Sequence, residues 1–118
     1  MMEIKYSFEY LTIMSLDRYA ANMVEKTEQQ QQAKIFMALS DPTRLQIVEL
    51  LASCNEMSSS AIAQKLDISL SLACHHTKAL AEAGLVEKRK EGQTSYNVLN
   101  RTLLVSALES IVKLAASS

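Results

Sequence analysis

The chain has 118 residues, enough for one domain with a core but small for an enzyme with two sites. A content of 48% hydrophobic residues, with two Gly and one Pro, points to a mostly helical soluble protein. The formal net charge of −1 excludes a globally basic nucleic-acid binder, so any such surface has to be local.

Residues 1–15 read as an N-terminal extension without assigned chemistry, and residues 16–118 as the domain. Ile4, Tyr6, Phe8 and Tyr10 alternate with polar residues as a strand would, while Phe8 with Leu11, and Tyr10 with Ile13 and Met14, also fit a helix. Met14 offers a second translation start. From Leu16 a helix is expected, because Leu16, Tyr19, Ala20, Met23 and Thr27 keep helical spacing. Glu28 to Gln32 fits a solvated helix face, and the apolar stripe resumes at Ile35, Phe36 and Leu39. Such a stripe needs cover, which a second copy of a small chain can provide.

Ser40-Asp41-Pro42 is a helix-start signal, with Asp41 as N-cap and Pro42 in the first helical position. Leu45, Ile47, Val48, Leu50 and Leu51 are expected inside this helix, and Arg44, Gln46 and Glu49 outside. Ser58 opens a short helix bearing Ile62, Ala63 and Leu66. Asp67-Ile68-Ser69 makes a tight connection, since Asp tolerates the left-handed conformation. Ser69 then caps a longer helix that Gly84 ends. Its expected inner face is Leu72, His76, Ala79, Leu80 and Ala83, and its outer face Ser71, Cys74, His75, Lys78 and Glu82. Two short helices, a three-residue turn and a longer helix give a helix-turn-helix pattern. The outer face, free of acids before Glu82, suits a DNA major groove.

Beyond Gly84, Val86, Tyr96 and Val98 mark inward positions of two strands, with Glu91-Gly92 as the hairpin turn. Lys88, Arg89 and Lys90 beside that turn read as a wing gripping phosphates. A last helix carries Leu104, Ala107, Leu108, Ile111 and Leu114 or Ala115, apolar enough for a dimer surface with the N-terminal helix. The charge balance weighs against DNA, since residues 41–101 hold seven Lys/Arg and seven Asp/Glu.

Cys54 and Cys74, with no signal peptide, indicate reduced thiols and a cytoplasmic location. No apolar run approaches membrane-spanning length. Cys74, His75 and His76 point about 100° apart on a helix, so they do not converge on one tetrahedral ion. No metal, no cofactor and no catalytic constellation is expected. Cys74 lies where DNA would be, and two readings stand: an oxidisable thiolate beside His75 and Lys78, or a small filler with Cys54 inert.

A-L-S-D-P-T-R-L-Q-I-V-E-L-L (Ala38 to Leu51), the H-x-K-x-L of His76, Lys78 and Leu80, and A-G-L-V-E-K-R-K-E-G-Q-T-S-Y (Ala83 to Tyr96) resemble the ArsR/SmtB family of bacterial winged-helix repressors. The resemblance covers about residues 33–115. It implies a mainly α fold with a small β-hairpin, a winged helix-turn-helix dimerising through its N- and C-terminal helices. It also implies double-stranded DNA as partner, Ser69–Gly84 as recognition helix and Lys88–Gln93 as wing. The implied DNA-binding residues are Arg44, Ser69, Ser71, Cys74, His75, Lys78, Lys88, Arg89, Lys90 and Gln93. The family's sensing sites do not carry over. Ser58 and Ser60 stand where its metal sensors have C-x-C, and Arg101 to Ser118 holds neither Asp nor His. Its redox sensors pair a Cys in the D-P-T-R helix with one in the last helix, and here Cys54 lies past the first and the second has none. Asp67 replaces the usual turn Gly, and no inducer is indicated. Two functions follow: a sequence-specific repressor binding a palindromic operator as a homodimer, or a dimeric protein-interaction module that kept the fold. The cations Arg44, Lys65, Lys78, Lys88, Arg89 and Lys90 discriminate: one uninterrupted face favours DNA, interrupting acids the module.

Overall fold

In a computed structural model of the chain, the described residues are Ala20 and 27–117. The chain divides into two compact units, Met1–Gln31 and Gln32–Ser118. Within the first, Ala20 and residues 27–31 are described, all helical and exposed. The expectations for residues 1–15 and for the stripe from Leu16 to Met23 lie outside the described residues, Ala20 excepted.

Side-chain caps start the helices of the second unit. Helix α1 (helical over residues 27–39, with Gln32 onward in this unit) is followed by α2 (Pro42–Ala52). Asp41 opens α2, its carboxylate accepting the Arg44 N–H at 3.0 Å. That bond, more than His76 or Arg44 nearby, holds the Asp41 carboxyl below its ordinary pKa. The cap is therefore complete above the ordinary aspartate value and is lost as pH falls through the lowered one. Ser58 caps α3 (Ser59–Leu66) through the Ala61 N–H, and Ser69 caps α4 (Leu70–Glu82) through the Leu72 N–H. Asn100, which the sequence reading passed over, caps α5 (Arg101–Ala116) through the Leu103 N–H.

Helices α3 and α4 end in the same paired bonds. The N–H of Ile68 reaches the Ala63 carbonyl at 3.0 Å and that of Asp67 the Gln64 carbonyl at 3.3 Å. In α4 the donors are Leu85 to Leu80 and Gly84 to Ala81. This motif needs a left-handed residue, supplied by Gly84 at φ 84° and by Asp67 at φ 55°. A left-handed L-residue costs about 1–2 kcal/mol, against about 0.4–1 kcal/mol of extra unfolded-state entropy for glycine. Asp67→Gly is thus expected to stabilise the fold by about 0.5–1 kcal/mol, read as a higher urea midpoint at unchanged slope. A lower midpoint would refute the strain argument.

The hairpin is built from β2 (Val86–Glu91) and β3 (Thr94–Leu99). A two-residue strand, β1 (Met57–Ser58), adds to it and gives an antiparallel sheet of order β1-β3-β2. Two residues carry no period, so β1 was not legible. The turn is Gly92-Gln93, one residue later than expected, because Glu91 still pairs with Thr94. Gly92 has φ 62° and Gln93 no positive φ, the sign pattern of a type II′ turn.

The core joins Ile35 of α1, Ile47 and Leu51 of α2, Ile62 of α3, Leu80 of α4 and Leu85. Three expected faces are corrected by it. In α2, Leu45 is exposed and Leu50 only half-buried. In α4, Leu72 is exposed and Ala79 half-buried, while Ala73 and Thr77 are fully buried. There α4 packs on α2 and α3, and such a seam takes small side chains. In β3, Asn97 and Leu99 turn inward with Val86, while Tyr96 and Val98 are half-buried. No described helix is long and apolar enough to cross a membrane.

Candidate nucleic-acid interface

The outer face of α4 is as expected in its polar residues. Ser71, Cys74, His75, Lys78 and Glu82 are all exposed. Ser69 is exposed too, but its oxygen is occupied by the Leu72 N–H at 3.0 Å. Leu70 and Leu72 join this surface, so the first turn presents Leu-Ser-Leu outward. His76 is buried behind it, with Nδ1 3.8 Å from the Asp41 carboxylate and no hydrogen bond. The His75 ring meets His76 edge-on at 5.2 Å.

The expected cations divide into tied and free. The Lys88 Nζ bends back to donate to Thr77 Oγ1 at 2.8 Å and Asn97 Oδ1 at 3.1 Å. Asn97 in turn donates to the Met57 carbonyl and the Ser59 Oγ, both at 3.1 Å. One polar network thus links β2, β3, β1, α3 and α4. Burial pushes the Lys88 pKa down, and the nearby Cys74 sulfur opposes this. Arg89 lies over the Tyr96 ring at 4.6 Å and binds Glu91 at 2.8 Å and Glu56 at 2.9 Å. Its hydrogen bonds to the Glu91 and then the Glu56 carboxylate raise its pKa. Arg44 donates to the Ala38 and Met37 carbonyls, closing the end of α1. Lys65, Lys78 and Lys90 are exposed and, among the described residues, have no hydrogen bond or ion pair. Gln93 is exposed at the hairpin tip.

The sequence reading missed Thr77, Asn97, Ser59, Glu56 and Arg101. Arg101 donates to the Ala52 and Cys54 carbonyls at 2.9 and 3.1 Å, closing the end of α2. A signal for the network did exist. Side chains alternate along a strand, so a buried Val86 places Lys88 on the same inner face.

Cys54 is half-buried, its thiol donating to the Leu50 carbonyl at 3.4 Å, and Cys74 is exposed. Among the described residues no three His, Cys, Asp or Glu side chains are grouped to hold a metal ion.

A family profile described as bacterial regulatory protein, arsR family, matches residues 41–88. The chain is 38% identical over 79 residues to the uncharacterized HTH-type transcriptional regulator YceK of Bacillus subtilis, covering 66% of this chain and 79% of that protein. It is 35% identical over 74 residues to the transcriptional repressor SdpR of the same organism, covering 63% and 81%. It also superposes on the solution structure of the homodimeric winged helix-turn-helix DNA-binding domain Mb0332 of Mycobacterium bovis, a possible ArsR-family regulator. That match has a TM-score of 0.63 at 33% identity, over 79% of this chain and 84% of the other.

Proposed function

Because this chain belongs to the ArsR family of bacterial regulatory proteins, we propose that it is a homodimeric, cytoplasmic repressor that reads a palindromic DNA operator. The observation that carries this reading is the outer face of α4, where Ser71, Cys74, His75 and Lys78 are exposed together on a capped helix. Hydroxyl, imidazole and ammonium groups at that spacing fit base edges, and the hairpin lies beside them to meet the backbone. Helices α1 and α5 make the dimer, and the two α4 helices enter successive major grooves about 34 Å apart. No metal, cofactor or catalytic step enters this reading.

The tied cations favour a narrower set of phosphate contacts than charge alone suggests. Lys78 and Lys90 have free ammonium groups, so Lys78→Ala and Lys90→Ala should each flatten the salt dependence of binding by about one unit of log–log slope. Arg89→Ala should flatten it less, since Glu56 and Glu91 already neutralise that guanidinium. Fluorescence anisotropy from 50 to 300 mM salt measures all three. An Arg89→Ala effect larger than that of Lys90→Ala would refute the division.

The same ion pairs favour the second reading, a protein-interaction module, because acids interrupt the cation set at Arg89. Selection of duplexes from a random-sequence pool, followed by footprinting, decides between the two. Enrichment of an imperfect palindrome supports the repressor; no enriched sequence at low salt leaves the module.

A further inference from the structure

We propose that Leu70 and Leu72 read thymine C5-methyl groups in the major groove, giving the operator its base preference at the start of each α4 helix. The inference rests on the DNA-reading role proposed above. Helix α4 distributes its side chains in an unusual way. Its buried positions are Ala73, His76, Thr77 and Leu80, two of them polar and one small. Two of its three leucines stay outside, Leu70 at 51% and Leu72 at 41% exposure. A single exposed Leu needs no explanation. Two of them flanking Ser71, at the helix end that enters a groove, form a surface with a purpose.

The geometry narrows the ligand. Consecutive residues diverge by about 100° around a helix, so Leu70 and Leu72 stand on either side of Ser71. Ser71 is thus centred on whatever the N-terminal turn meets, with one apolar group on each side. The major-groove edge of a base pair offers a single apolar feature, the thymine methyl. A hydroxyl between two isobutyl groups therefore matches a hydrogen-bonding base edge with a thymine on each side. Charge supports this division. With Lys88, Arg89 and Arg44 already paired to other groups of the protein, few cations remain to hold the DNA, and apolar base contacts take a larger share.

Deoxyuridine differs from thymidine by this methyl group alone, which makes the test specific. Duplexes enriched by the full chain from a random pool are resynthesised with deoxyuridine for thymidine in one half-site. Binding of wild type and of the Leu70→Ala/Leu72→Ala variant is measured by anisotropy across salt. Each lost methyl contact should weaken wild type about fourfold, or about fifteenfold for two. The variant should bind thymidine and deoxyuridine duplexes equally, with the wild-type salt slope and melting temperature, since both leucines are exposed. Specific binding by wild type that ignores the methyl groups overturns this inference and leaves the repressor reading standing. A variant as methyl-sensitive as wild type, or one whose oligomeric state changes instead, overturns it as well. If wild type prefers no duplex, the repressor reading itself fails and takes this inference with it.

Discussion

Replacing Leu108 and Val112 on α5 with glutamate is expected to give a folded monomer whose operator affinity is lower by about 100-fold or more. The reason lies in the two faces of that helix. Ala107 is buried and Leu103 and Leu104 are half-buried against the core, and the Ala107 carbonyl accepts the Gln32 amide at 3.3 Å. Beside this core side Val105, Leu108 and Val112 form a second, exposed stripe, Leu108 at 45% and Val112 at 63%. With Ala115 they repeat at intervals of three and four residues, the spacing of a helix–helix seam. Neither Leu108 nor Val112 belongs to the core cluster, so glutamate at both is expected to leave folding intact. In a dimer it would be buried without a partner, which is expensive. Coupling of two half-sites ordinarily strengthens binding by about 10² to 10⁴, and the monomer forfeits that gain. Sedimentation at micromolar concentration and anisotropy on full and single half-sites read both effects. A variant that stays dimeric, or still prefers the full palindrome, would show that another surface joins the subunits.

The boundaries of α2, α3 and α4 were legible because each depends on a local chemical signal. Asp41, Ser58 and Ser69 accept N–H groups of their own first turns, and Asp67 and Gly84 take the left-handed angle. The faces were less legible. In α4 hydrophobic weight pointed to Leu72, whereas the seam admits Ala73 and Thr77, because volume at a close helix contact outweighs hydropathy. In α5 the sequence shows one apolar stripe where the structure has two, one packed on the core and one exposed. The cations were the hardest. Lys88, Arg89 and Lys90 are equal as charges in a sequence, and only the pleat separates them. Arg89 falls opposite Tyr96 on one face, while Lys88 falls opposite Asn97 on the other. What a charge does depends on its partners, and those come from 33 residues away in Glu56 and nine in Asn97.

The network around Asn97 is where a single substitution should cost most. Asn97 is fully buried and serves three partners: Lys88 Nζ, the Met57 carbonyl and Ser59 Oγ. Asn97→Leu keeps much of the volume and removes every one of those bonds. Each buried group left without a partner costs about 1–3 kcal/mol, and β1 and the Lys88 ammonium both lose an anchor. A loss of about 3 kcal/mol is expected, or about 10 °C or more in melting temperature. Lys88→Met is the more informative companion. It keeps the stem and removes the donor that joins the hairpin to Thr77 of α4. If Lys88 is a tie, this variant binds every DNA sequence more weakly while its salt slope matches wild type. A slope flattened as much as in Lys90→Ala would make Lys88 a phosphate contact instead. The pH response gives an independent check. Burial lowers the Lys88 pKa, so between that value and the ordinary lysine value the unfolded chain binds more protons than the folded one. Stability contributed at this site therefore rises with pH across that window, where the neutral amine still has two N–H groups for Thr77 and Asn97. The melting temperature of wild type should gain on that of Lys88→Met as alkaline pH is approached. A difference that stays flat, or narrows, would place the ammonium in solvent and break the network described here.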